Sequence, residues 1–395
     1  MSAISCIQGV REHFPAASHT VYLNTPTYGL VPDFVHEATQ KAQSRRYETG
    51  DYSFMGTPSY GMIEETRKVF AAFLNCEADD IAFGLSASQL FSILTAGLNF
   101  QPGDNVVLTE NSFITIPYAF QRREEEGLCL RYAPVTDGEV RLDDIYALAD
   151  ERTRVIAVNH VESSTGYKIE LEKLGAFCRS RGIILAVDAA QSAGAMDIDV
   201  KAMGISFLAG TDYKWLCHYR GFGFAYVSPH LRQALVQRSA GWASELERFN
   251  TEKRTLTLHP GARRYELGGL HTSGVYCVGQ VLRFNMEKGQ KNIEAALLEM
   301  VGYCYQKAEQ SGIVKLKYCF AAENRSSIVV LKVPAKFNLT TQRLFERKVS
   351  VPVGGGPNPD HGTPSEYWLL RIGIHYYNTL EDIDKLFAAI EDCCK

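Results

Sequence analysis

The chain has 395 residues, 46% of them hydrophobic, enough to bury a large core and long for one domain. A formal net charge of −4 gives no basic surplus, so composition gives no support to nucleic acid or acidic membrane surfaces as partners. Ten cysteines are dispersed, with no CxxC pair and no Cys/His spacing suited to zinc. The opening MSAISCIQGVREHFP lacks the apolar centre of a signal peptide, and no apolar run is long enough to span a bilayer. These features read as a soluble cytoplasmic protein with reduced thiols.

In chain order, residues 1–20 read as a short helix and lead-in. Val21 to Asn24 is a brief strand, and residues 25–32, TPTYGLVP, form a rigid Pro/Gly turn. Helices are predicted from about Asp33 to Glu48 and from Met62 to Leu74, the second amphipathic with Ile63, Val69, Phe70 and Phe73 on one side. Gly50 to Gly61 reads as a loop. Ile81 to Gly84 is a strand that runs into Leu85-Ser86-Ala87-Ser88 and a helix from about Gln89 to Leu98. Small hydroxyl residues at such a turn offer free backbone N–H groups where a phosphate can dock. Strands at Asn105–Thr109, near Leu128–Tyr132 and at Val155–His160 alternate with helices at Tyr118–Glu126 and Leu171–Arg181. That alternation predicts parallel βαβ units in a doubly wound sheet.

The stretch Ile183 to Tyr226 organises the rest. IILAV ends on the carboxylate Asp188, ISFLAG leads into Thr211-Asp212-Tyr213-Lys214, and FGFAYV follows. Short continuous apolar runs read as strands covered on both faces, and ligands of such sheets collect at the strands' carboxyl ends. Asp188 and Lys214 therefore converge on one edge. Pyridoxal phosphate needs such a pair: a lysine amine to carry it and a carboxylate opposite its ring nitrogen. Past Val275 the pattern changes to long helices, one through Gly289 and one from Asn292 to Gln310, then short strands at Leu316–Phe320 and Ser327–Val333 and a helix at Thr340–Arg347. It closes on LLRIGIHYYNT and a helix from Glu381 to Cys393. We divide the chain into an N-terminal segment (1–20), a large cofactor-binding domain (21–274) and a small α+β domain (275–395).

VDAAQSAG, followed about twenty residues later by a hydroxyl residue three before a lysine, resembles the cofactor site of the class V aminotransferase and cysteine desulfurase family. LLRIGIHYYNTLEDIDKL resembles that family's C-terminal signature. The resemblance spans roughly residues 20–390. It implies an α/β protein of the fold type I class of pyridoxal-phosphate enzymes, with a large, mostly parallel doubly wound sheet domain and a small α+β domain. It further implies that Lys214 carries the cofactor and that Asp188 faces its ring nitrogen. Ala87, Ser88, Thr211 and Tyr213 are then phosphate contacts, and Phe113 covers the ring. The family usually has Asn at Ser163 to reach the phenolic oxygen; Ser is shorter, so Gln191 is the stronger contact there. Thr272 would cross a dimer interface to the neighbour's phosphate, giving a homodimer with shared sites. Arg371 would clamp the carboxylate of a small amino-acid substrate, with Thr27 and Tyr28 lining the pocket.

The cofactor does not by itself select among transamination, racemisation, β-elimination and desulfuration. Desulfurases carry a catalytic Cys on a loop before the carboxylate-binding Arg, and Val349 to His361 contains none. A persulfide mechanism needs an enzyme thiolate, so the first reading is a C–S lyase acting by β-elimination. A class V aminotransferase or an epimerase-like member is the alternative. A catalytically silent binding module would be favoured by loss of Lys214, Asp188 or Arg371, and all three are present. No GxGxxG opens a helix after a strand, which argues against a nicotinamide dehydrogenase. The Gly- and Pro-rich stretch 349–361 reads as a mobile gate with a solvated His361, and Cys217 and His218 read as packing or gate residues.

Overall fold

The computed structural model describes residues 2–50, 59–248, 252, 254–357 and 364–395. Its centre is a seven-stranded sheet of the apolar runs: β1 (Ile81–Gly84), β2 (Asn105–Thr109), β3 (Cys129–Ala133), β4 (Thr153–Asn159), β5 (Ile184–Asp188), β6 (Phe207–Thr211) and β7 (Gly223–Val227). The strand order is β1-β7-β6-β5-β4-β2-β3. β3, β2, β4, β5 and β6 pair in parallel. Successive side chains leave opposite faces, so Val106 and Ala186 join one apolar cluster while Val107 and Val187 join another. Helices cover both faces, among them α1 (Ala87–Gly97) and α2 (Leu171–Arg181). This is the large, mostly parallel α/β sheet expected.

The direction of β7 was not legible in its apolar pattern. It runs antiparallel to both β6 and β1, because residues 212–222 are too few for the helical crossover that a parallel neighbour requires. The consequence is functional. Gly223 lies opposite both Thr211 and Gly84, at the edge where β5 and β6 end.

The chain leaves this sheet through two helices, α3 (Thr272–Lys288) and α4 (Gln290–Gln310), broken at Gly289 with φ of +84°, a conformation that favours glycine. A four-stranded antiparallel sheet follows: β8 (Lys315–Leu316), β9 (Ile328–Pro334), β10 (Val353–Gly355) and β11 (Tyr367–Gly373), in the order β8-β9-β11-β10, with a terminal helix Leu380–Cys393. The expected gate thus contains an edge strand. Val353 to Gly355 pairs with Trp368 to Leu370, while His361 lies outside the described residues, as do residues 51–58 of the expected Gly50–Gly61 loop.

Instead of one short helix, the N-terminal segment makes three 3-10 turns, interrupted where Gly9 takes φ +77° and Pro15 starts a new turn. It lies on the C-terminal part of the chain. Glu299 of α4 accepts from the Ala3 N–H at 2.7 Å, and Arg11 pairs with Asp382 at 2.6 Å. Val21–Tyr22 pairs in parallel with Val349–Ser350. Among the described residues no helix is long and apolar enough to cross a membrane, and no cluster of His, Cys, Asp and Glu could hold a metal.

Candidate active site

Strand ends build the site. Asn159 closes β4 beside Asp188 at the end of β5, Asp188 lies level with Ala209 of β6, and the next turn carries Lys214. Close packing fixes that turn. The Gly29 N–H donates to the Tyr213 carbonyl at 2.8 Å, and a Cβ on Gly29 would stand 2.0 Å from the Lys214 carbonyl oxygen, so only glycine fits there. Buried Asp212 and His218 close the turn from both sides, Oδ2 to Nδ1 at 2.8 Å.

Lys214 is 8% exposed, and its Nζ stands 5.5 Å from the Phe113 ring centroid and 6.0 Å from that of Tyr213. Burial is the main cause that pushes its ammonium down to about 8; Asp188 opposes the shift and Arg371 adds to it. Burial likewise holds the Asp188 carboxyl above its ordinary range, against the Ala190 N–H, which donates to Oδ1 at 2.8 Å, and against Lys214. No side chain among the described residues forms a salt bridge with Asp188. Phe113 is 43% exposed, not a core residue, and its N–H is fixed by Asn159 Oδ1 at 3.0 Å.

At the start of α1, Ser86 caps the helix by accepting from the Gln89 N–H at 3.2 Å. The Ala87 and Ser88 N–H groups have no acceptor among the described residues, as the first turn of a helix dictates. The antiparallel β7 lets them approach: a Cβ on Gly223 would stand 2.8 Å from Ser86 Cα and 3.0 Å from the Ala87 nitrogen. Buried Thr211, opposite Gly223, borders the same space.

Half-buried Arg371 on β11 donates to the Ser163 carbonyl and to Thr27 Oγ1, each at 3.0 Å. It pairs with no carboxylate among the described residues, and burial lowers its proton affinity. The Tyr28 ring leans on that of Tyr213 at 5.3 Å, and its hydroxyl accepts from Arg220 at 3.4 Å. Gln191 is buried; it accepts from Trp215 Nε1 at 2.9 Å and donates to the Pro26 carbonyl at 3.0 Å, which leaves one amide N–H. Thr272 begins α3 with its hydroxyl on the Leu270 carbonyl at 3.4 Å.

Cys217 is fully buried, 3.5 Å from His375 Nε2 and 3.7 Å from the Tyr376 hydroxyl, and burial pushes its thiol up to about 12. Such a sulfur packs and does not attack. Asn159, Glu162 and Asp212 are polar residues around the site that the sequence patterns passed over, and His218, read as packing or gate, is the partner of Asp212.

A buried amine, a buried carboxylate in no salt bridge among the described residues and two helix N–H groups without an acceptor among them, gathered at one edge of a mostly parallel sheet, suit pyridoxal phosphate. The architecture is that of the fold type I enzymes that use it. The family model "Aminotransferase class-V" matches residues 21–386, and the chain belongs to that family of pyridoxal-phosphate-dependent enzymes. A probable cysteine desulfurase of Methanothermobacter thermautotrophicus is 25% identical, covering 98% of this chain and 97% of the relative. Another, of Pyrococcus abyssi, is 27% identical over 98% of each chain. The apo structure of a cysteine desulfurase from Thermococcus onnurineus shares the fold, with a TM-score of 0.83 at 23% identity over 98% of this chain and 97% of that one. The cystine C–S lyase C-DES, solved with its product cysteine persulfide, does so with a TM-score of 0.84 at 20% identity over 96% and 99%.

Proposed function

We propose that the protein is a C–S lyase that cleaves the Cβ–S bond of a small amino-acid substrate. Ala87, Ser88, Thr211 and Tyr213 would hold the cofactor's phosphate, Asp188 its ring nitrogen, Phe113 a ring face, and Gln191 with Ser163 its phenolic oxygen. When bound, pyridoxal phosphate supplies an electron-withdrawing ring that weakens the bonds at the substrate's Cα. Arg371 takes the substrate carboxylate in its planar fork, steadied by Thr27 and the Ser163 carbonyl. Tyr28 lines the entrance. Lys214 Nζ, whose burial favours the neutral amine, accepts the Cα proton, and the thiolate departs from Cβ.

One observation carries the lyase reading over desulfuration. Lyase chemistry needs no enzyme thiol, and this chain has no Cys between residues 320 and 392, while Cys217 beside the lysine is sealed in the core. The C-DES likeness supports the same reading. Incubating the cofactor-loaded protein with cystine and other S-substituted cysteines should release pyruvate and ammonia over many turnovers. Accumulation of the cofactor's amine form, discharged only by a keto acid, would instead make the protein an aminotransferase.

We also infer a cytoplasmic homodimer in which Thr272 reaches the neighbouring subunit's phosphate. Leu85, Phe113, Ile114 and Tyr118, each more than 40% exposed, lie around the start of α1 and suit a covered surface. Sedimentation at assay concentration tests this, and a fully active monomer would contradict it.

A further inference from the structure

Glu162 is a fully buried carboxyl on the loop after β4, and the reaction described above does not use it. Its Oε1 accepts the Thr109 hydroxyl at 3.1 Å, while Oε2 is buried without a hydrogen-bond partner among the described residues. No cation pairs with it among the described residues. Thr109 from β2 and Asp188 from β5 are the groups that act on it, and Asp188 has the same sign of charge. His160, two residues before it, is buried and pushed down to about 3 by burial, so it brings no positive charge. Burial first, then Asp188, push the Glu162 carboxyl up to about 8.

The surrounding bonds give this acid a task. Thr109 and Ser112 hydroxyls meet at 2.7 Å, which folds the turn that presents Phe113. On the other side the Glu162 carbonyl accepts the Gly166 N–H at 2.8 Å, and the adjoining Ser163 carbonyl holds Arg371. One carboxyl thus joins the segment that carries the ring-facing aromatic to the segment that aims the carboxylate clamp.

We propose that Glu162 is a positioning residue that works as the neutral acid, latching the Phe113 turn to the Ser163 loop while adding no second negative charge beside Asp188. Its effect on the cofactor rests on the site reading above; the latch itself does not. The test begins with protein free of cofactor. Infrared difference spectra of wild type against Glu162→Gln at pH 7 should contain the carbonyl stretch of a protonated carboxylic acid, and that band should fade as pH rises through about 8. With cofactor bound, the wild-type visible spectrum should change over the same pH range, and the change should vanish in Glu162→Gln. Glu162→Ala should lose about tenfold or more in kcat, and Glu162→Gln should recover most of it because the amide keeps the volume and the hydrogen bond from Thr109. An ionised Glu162 at pH 7 overturns the proposal, as does a Gln variant as impaired as Ala. The infrared band is read without cofactor, so it separates failure of the latch from failure of the cofactor reading.

Discussion

Replacing Lys214 by alanine is expected to abolish the cofactor's protein-linked visible absorption and to lower turnover by roughly 10³-fold or more, since a positioned base alone contributes about 10²–10⁴-fold. The change should appear in kcat rather than KM, because under the proposed reading Arg371 would still hold the substrate carboxylate. The same residue should cost the unloaded protein stability. The folded-state pKa of Lys214 is about 8 against an ordinary 10.5, so between those values the unfolded chain binds more protons. Stability therefore rises with pH across that window, and below pH 8 the folded protein carries the full penalty of a buried ammonium. At about 1.4 kcal/mol per unit the ceiling is roughly 3 kcal/mol. Lys214→Met keeps the alkyl stem and removes the charge, so it should raise the melting temperature of the unloaded protein at pH 7 and flatten this pH dependence. An unloaded variant less stable than wild type would remove the argument that this lysine is strained for function.

The second large effect is expected at Arg371. Arg371→Leu should reduce kcat/KM by about 10²–10³-fold, the loss of two charge-assisted hydrogen bonds of roughly 1.5–3 kcal/mol each, partly offset by water. Most of this should fall on KM, while the absorption of the bound cofactor stays that of wild type. Arg371→Lys should rescue little, because an ammonium cannot reproduce the planar fork that Ser163 and Thr27 orient. Equal kcat/KM of wild type and Arg371→Leu on the amino acid would show that the carboxylate is read elsewhere.

The sheet was legible because its strands are buried on both faces: Ile184–Asp188 and Phe207–Thr211 have no exposed side to blur the pattern. The position of Asp188 was legible for a related reason, a carboxylate ending such a run, and Lys214 because it stands in the short polar turn after the next one. What the pattern does not encode is direction and pairing. An apolar run like Gly223–Val227 reads the same in either orientation, and only the length of the link decides. The glycines of Val353–Gly355 suggest a loop, yet its ladder partners in Tyr367–Gly373 lie beyond any local window. Glu162 is not marked by the pattern, because it lies three residues past the end of its strand and does not end the run as Asp188 does. The resemblance assigns a role to its neighbour Ser163 and none to Glu162, and its burial comes from segments distant in sequence.

The most direct test of the central claim is chemical. Borohydride reduction of the cofactor-loaded protein, followed by proteolysis and mass spectrometry, should place a single pyridoxyl group on the peptide containing Lys214. Attachment to another lysine, or none while the visible absorption persists, would contradict the account of the site.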